Sequence, residues 1–434
     1  MLFRLAAAAV LCTAPAIVRA QTADTLDMSR AVALARAANP TLAARAADVR
    51  AAAARIRPAG ALSDPTLSLG AMNYLLPGLS PRGDPMTMNQ VTLMQTLPVN
   101  GARGLRRSAA RADSARYAYA AEAAALDVEA AVRGRYWALY HDDRALEIMA
   151  RRHEVLQEIS NVATTMYATG TAVQADALRA QLAITRLDQE IAEMRLERYG
   201  AASALNALLG REGTTPIVLP PAGNHEHEAM LHTLAMPEPP ALDSLRALAD
   251  RHNPEILGAA AMVTGGRANA AAVRRLMVPD VGLGIAYGQR AGINDMVSLM
   301  VSVTVPVFAA ARQYRMRDEA TALLDAAGHD RDAVRVRVHA ALATAREQAM
   351  AARQLVTLYA QTLVPQAEAT YQAALAAYRV GRVDFATLLD AQTAILEYEH
   401  DLHNYEAMYG TATAEIDRLT GRPFGAGPAA GGEN

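Results

Sequence analysis

The chain has 434 residues, 42 basic against 44 acidic, with 52% apolar and 20% charged residues. The resulting net charge of −2 is no electrostatic match for nucleic acid or an anionic lipid surface, and the apolar content excludes a disordered tail. All 42 basic residues are arginine, alanine is roughly a fifth of the chain and aromatics only 5%, the composition of long, closely packed helices.

Residues 1–20 read as a secretory signal. Arg4 is the positive start, Leu5 to Ile17 form an apolar stretch too short to span a bilayer, and Val18-Arg19-Ala20 ends in a small residue before Gln21. Cys12 lies inside this stretch behind Leu11, where a lipoprotein signal needs a small residue, so lipidation is not expected. The mature chain then has no cysteine, which rules out disulfides and cysteine metal sites. No run of eighteen apolar residues follows residue 20, so any membrane span has to be a β-barrel.

A first unit is expected over 24–211. It opens with a helical run, Ser29–Ala38, that ends at Asn39-Pro40. Two strands follow. Leu67, Leu69 and Ala71 alternate with Thr66, Ser68 and Gly70, and Val91, Leu93 and Leu97 alternate with Thr92, Met94 and Thr96, with Gln95 as the exception. Residues 101–169 then lack proline and predict a single helix of about 100 Å, at 1.5 Å per residue. The helix ends at Tyr167-Ala-Thr-Gly170, and a seam of Ile184, Leu187, Ile191, Met194, Ala201, Leu205 and Leu208, broken by Arg198, predicts a coiled-coil return.

A linker at 212–240, rich in Pro, His and Glu, precedes a second unit over 241–421 that repeats the first. Asn253-Pro254 again closes a helical run, Leu242–His252. Val281, Leu283, Ile285 and Tyr287 alternate with Gly282, Gly284 and Ala286, and Leu299, Val301, Val303 and Val305 alternate with Met300, Ser302 and Thr304. A second long helix is expected over 308–377 with a kink at Pro365, then a turn at Tyr378-Arg-Val-Gly381. Adding 211 to the seam gives Ile395, Tyr398, Leu402, Tyr405, Ala412, Ile416 and Leu419, with Tyr409 opposite Arg198. The tail 422–434, rich in Gly, Pro and Ala, reads as disordered.

Each strand has one apolar face and one small or polar face, which suits a sheet between lipid and water but also a half-buried sheet on a soluble protein. Four strands cannot close a membrane barrel, for which about eight are the minimum. A membrane barrel therefore has to be shared, and three chains would supply twelve strands.

The doubled unit, the strand pairs, the two Tyr-x-x-Gly tips and the run Leu388-Leu-Asp-Ala-Gln392 after the second tip resemble the TolC family of outer-membrane efflux proteins, over roughly residues 24–421. The resemblance implies a mainly helical fold with a small membrane β-barrel: a homotrimer with a shared 12-stranded barrel in outer-membrane lipid and a periplasmic α-barrel. It also implies partners, a periplasmic adaptor protein and an inner-membrane pump. Under it, Tyr167, Gly170, Tyr378, Val380 and Gly381 belong to the adaptor-docking tips, although the glycines also serve simply to build the turns. Asp390 matches an aspartate lining the constricted entrance. A second acidic ring expected one turn earlier falls on Thr387, and Arg382 and Asp384 are candidates for ion pairs that hold the tip closed.

The exported substrate is the least legible feature. His225, His227, His232, Met230 and Met236 of the linker offer imidazole and thioether ligands for Cu, Ag or Zn, against the plainer reading of a solvated linker. Met72, Met86, Met88, Met94, Met296 and Met300 lie in or beside the strands, and together these residues tilt the expectation towards heavy-metal efflux. Type I secretion, multidrug efflux and a soluble periplasmic coiled coil are the alternatives. No GxSxG, phosphate loop, zinc-protease motif or cofactor motif is present, so no enzyme is expected.

Overall fold

The computed structural model describes residues 25–170, 173–220 and 236–422. The expected signal segment and the tail beyond residue 422 lie outside these residues. The first unit runs α1 (Met28–Ala38), α2 (Pro40–Ala54), the short α3 (Ile56–Ala59), β1 (Thr66–Met72), β2 (Met88–Leu97), α4 (Ala102–Ala168) and α5 (Gln174–Leu208). The second runs α6 (Leu242–His252), α7 (Pro254–Arg275), β3 (Val281–Gln289), β4 (Met296–Val303), α8 (Gln313–Leu358), a π-helical turn (Tyr359–Leu363), α9 (Val364–Arg379) and α10 (Phe385–Thr420).

The Asn-Pro steps do the same work in both units. Asn39 caps α2 by accepting from the Thr41 amide at 2.9 Å, while Pro40 occupies the first helical position, where its missing N–H is no loss. The Asn39 side-chain amide donates to the Leu208 carbonyl at 3.0 Å, at the end of α5. Asn253 repeats this, capping α7 through the Ile256 amide at 3.0 Å and donating to the Leu419 carbonyl at 2.9 Å. One residue therefore starts a helix and fastens the end of its own unit's closing helix. Gly210 and Gly421 follow those closing helices with φ of +66° and +73°. A methyl group at Gly210 would lie 2.8 Å from the Ala38 carbonyl oxygen, and one at Gly421 would press still closer on that of His252, so the elbow admits only glycine.

The helix expected over 101–169 is α4, 67 residues and about 100 Å long. The second long helix begins at Gln313 rather than at 308, because residues 306–312 form turns below β4. At the place of the expected kink the structure has a π-helical turn, immediately followed by Pro365 in the first turn of α9. Proline lacks the amide that would bond the carbonyl four residues back, and its ring crowds that carbonyl. An extra residue in the preceding turn relieves both effects.

The seam is observed as expected. Leu187, Leu205, Leu402, Ala412, Ile416 and Leu419 are buried and the other seam positions partly so. Its exception, Arg198, is ion-paired with Asp143 and donates to the Ile217 carbonyl at 3.1 Å. Tyr409, its counterpart, donates its hydroxyl to the Pro237 carbonyl at 2.7 Å. Both break the apolar pattern to hold down the chain that links the units.

The four strands form one antiparallel sheet in the order β1-β2-β3-β4, and β2 pairs with β3, so the two units share it. The register puts Leu67, Leu69, Val91, Leu93, Leu283, Ile285, Val297, Leu299 and Val301 on one face, all exposed, up to 81% for Leu299. Gln95 lies on that face opposite Leu283, and its side-chain amide is satisfied by the Ser63 and Thr96 carbonyls at 2.8 and 3.0 Å. No helix among the described residues is long and apolar enough to cross a membrane.

Replacing Asn253 by Ala removes a cap and strands a buried carbonyl, and should cost about 1–2 kcal/mol of stability. Gly421→Ala should cost more, since it meets both a left-handed backbone and a backbone oxygen. Loss of helical circular dichroism with urea, in detergent, measures both; Gly328→Ala, inside α8 where a methyl group meets open space, is the contrasting control and should stabilise by up to about 1 kcal/mol.

Candidate functional site

The two hairpins end together. Gly170 and Gly381 take φ of +75° and +71° at the turns, and a methyl group added at either would meet open space, so the left-handed backbone alone selects glycine there. Ile159, Ala163 and Ala180 of the first hairpin and Ala374, Tyr378, Phe385 and Leu388 of the second form one buried cluster, which sets the two tips side by side.

The tip residues separate into two kinds. Tyr167 and Val380 are exposed, Val380 at 67%, and are available to a partner. Tyr378 is not: its ring is 4% exposed and packs edge-on against Phe385, with centroids 5.9 Å apart. Its buried hydroxyl finds no hydrogen-bond partner, and burial pushes the phenol up from its ordinary pKa. Tyr378 therefore shapes the tip from within.

Asp384 is the N-cap of α10, accepting from the Thr387 amide at 2.9 Å and its hydroxyl at 2.6 Å. These bonds hold its carboxyl below the usual range. Among the described residues no ion pair joins Arg382 to Asp384, whose Oδ1 takes both capping bonds. Asp390 is exposed, and Glu397, seven residues on, is exposed on the same strip of α10. Sequence reasoning missed Glu397, which the heptad spacing from Asp390 could have found.

The metal candidates fare differently. Met236 is 7% exposed in the core formed with Leu245, Leu342 and Tyr409, and its carbonyl accepts from Arg353 Nε at 3.0 Å, so it is a packing residue. His225, His227, Met230 and His232 lie outside the described residues. Among the described residues no group of three or more His, Cys, Asp and Glu side chains is arranged to hold a metal ion.

Two polar clusters were invisible in the sequence. At the π-helical turn, Tyr359 lies edge-on to Tyr398 and Tyr405 and donates to Asp401 at 3.1 Å. Burial, then that hydrogen bond, pushes its phenol up to about 12. Farther along, α4 of the first unit meets α10 of the second. Trp137 covers Gly410 so closely that a methyl group there would run into the indole, and Arg133 pairs with Asp417. The buried Glu406 accepts from Tyr140 at 3.2 Å and lies 2.9 Å from His403 Nδ1, and the rings of His141 and His400 are 4.8 Å apart. Burial first, then His141, holds His400 below its ordinary pKa.

The described residues thus present two tips, a π-helical turn in the second long helix and an amphipathic sheet. The outer membrane efflux protein family matches residues 31–211 and 245–422, one match per unit. The chain belongs to that family. It is a transport conduit by family, not an enzyme. A curated relative, Protein CyaE of Bordetella pertussis, is 28% identical over 343 residues, covering 74% of this chain and 70% of that protein. The fold is similar to that of CusC, with a TM-score of 0.77, 17% identity and coverage of 91% of this chain and 92% of that one. It is also similar to the outer membrane protein VceC of Vibrio cholerae, with a TM-score of 0.74, 16% identity and coverage of 92% and 96%.

A histidine with a depressed folded-state pKa binds its proton more readily when unfolded, so stability is present above the ordinary value of 6.5 and declines as pH falls below it. The groups facing His400 are His141 and His403, which lower its pKa, and Asp401 and Glu197, which raise it. Denaturation midpoints between pH 8 and pH 5 should show this decline in the native chain and a shallower one in His400→Gln.

Proposed function

We propose that this chain is one third of an outer-membrane efflux conduit: three copies close a 12-stranded barrel in the outer membrane, and their helices continue into the periplasm as a tube. The sheet carries the reading. It has two free edges, four strands and an apolar face that none of the described helices covers. In water such a surface aggregates; in lipid it is what a barrel wall requires. A barrel needs about eight strands at least, so the chain has to recruit copies of itself.

On this reading α4 and its partners set the length of the tube, and the paired tips form its far end. A periplasmic adaptor docks there on Tyr167 and Val380 and delivers substrate from an inner-membrane pump. Three copies of Asp390, reinforced by Glu397, ring the entrance, favouring cations and repelling anions. Opening is a rearrangement of the second unit about the π-helical turn, biased by the adaptor. Secretion of polypeptides or export of drugs through the same conduit are the competing substrates. A soluble periplasmic coiled coil accounts for the seam but leaves the exposed sheet unexplained.

The mature protein, purified in detergent, should have the mass of a trimer and produce stepwise conductance in planar lipid. A monomer that makes no pores, or a protein released from membranes by salt alone, overturns the reading. In a KCl gradient, Asp390→Asn should move the reversal potential towards zero, whereas Thr387→Ala, which removes no charge, should leave it in place. Val380→Asp should abolish adaptor capture while single-channel conductance is retained.

A further inference from the structure

We propose that the inner face of the sheet binds soft monovalent cations, Cu(I) or Ag(I), through methionine thioethers paired across glycines. The inference rests on the reading above, in which this face lines the pore, and it names a substrate class for that pore. It does not involve the His- and Met-rich linker.

The register assigns seventeen residues to the face opposite the apolar one, of which five are methionine: Met72, Met88, Met94, Met296 and Met300. Methionine is only 18 of 434 residues overall, so the face is several-fold enriched. None of the seventeen is charged, and none is His, Asp or Glu. The wall offers thioethers, hydroxyls, one carboxamide and glycine backbone.

The methionines are placed around two glycines of β3. Gly284 has Met94 opposite it on β2 and Met300 opposite it on β4. Gly288 has Met296 opposite it on β4, while Met88 of β2 reaches it diagonally. A methyl group at Gly284 would lie 3.2 Å from Met300 Cε, and one at Gly288 would lie 2.6 Å from Met88 Sδ. One side chain of each set, Met300 at Gly284 and Met88 at Gly288, thus already leans over its glycine. Residues two strands apart are separated by about 9.6 Å, at roughly 4.8 Å per strand. A matching inward rotamer of Met94 or Met296, with nothing but a glycine between, brings the second sulfur towards the first over that gap.

Thioether is a neutral, polarisable ligand that selects Cu(I) and Ag(I) over Zn(II) or Co(II), which favour imidazole and carboxylate. Two-sulfur sites repeated along a pore bind weakly and in series, as passage requires: enough to enter, too little to stay. Packing is the rival account, since methionine fills irregular gaps. The two separate cleanly, because Met→Leu keeps volume and apolarity but removes the sulfur.

The test uses the mature full-length protein in planar lipid and in detergent, with silver nitrate in chloride-free potassium nitrate. Pores of Met94→Leu/Met300→Leu and of Met88→Leu/Met296→Leu should still conduct without silver, and each is read against its own silver-free conductance. Micromolar Ag(I) should reduce native conductance severalfold and leave that of the variants unchanged, and zinc nitrate should do nothing to either. X-ray absorption on the native protein, which needs no variant to fold, should show sulfur in the first shell of silver, with that signal weakened in the variants. Native pores indifferent to silver, or variants blocked as fully as the native protein, overturn the thioether site while leaving the conduit intact. Absence of pores in silver-free nitrate refutes the conduit reading itself, and with it this inference.

Discussion

A four-stranded sheet with two unpaired edges and an uncovered apolar face is the constraint around which the rest of this molecule is arranged. Unpaired backbone groups and exposed Leu, Val and Ile are unfavourable in water, and none of the described elements folds back to cover them. The sheet cannot be satisfied by one unit either, because the β2–β3 ladder that makes it continuous runs between units. The duplication and the proposed recruitment of further copies therefore answer the same deficit of strands.

Below the sheet the two units are tied by geometry that repeats to the residue. Asn39 with Gly210, and Asn253 with Gly421, make the same elbow: a cap on one helix, a bond to the last turn of another, and a glycine where a carbonyl leaves no room for a side chain. Rigid elbows of this kind fix the equator, where the largest buried clusters lie. The long helices leave that girdle side by side, bridged part-way by the Arg151–Glu399 ion pair, and their far ends pack in the small cluster around Tyr378 and Phe385.

The units diverge in the continuity of their long helices. The first has the uninterrupted α4; the second has the π-helical turn before Pro365, braced by Tyr359, Tyr398, Tyr405 and Asp401. An unbroken helix in one unit thus stands against an interrupted one in the other. The buried Glu406, His403 and Tyr140 group, with Trp137 on Gly410, holds the two helices together above that interruption. In the proposed trimer, adaptor docking at the tips acts on the interrupted side.

What the sequence determined by itself was everything governed by period and punctuation. Alternation by two located the strands and their faces, the 3-4 seam located α5 and α10, a proline-free run marked out α4, and the duplicated Asn-Pro and Tyr-x-x-Gly steps exposed the repeat. These features are local, so the chain's own spacing encodes them. The tertiary structure alone decided what depends on distant residues meeting. It buried Tyr378 and Met236, which the sequence offers as surface groups, and it placed Asp384 as the cap of α10. It also brought His141 to His400 across more than 250 residues and set Met94 and Met300 on either side of Gly284. Pairings of that kind are fixed by strand register and helix packing, which follow from the assembled core and not from any single stretch of chain.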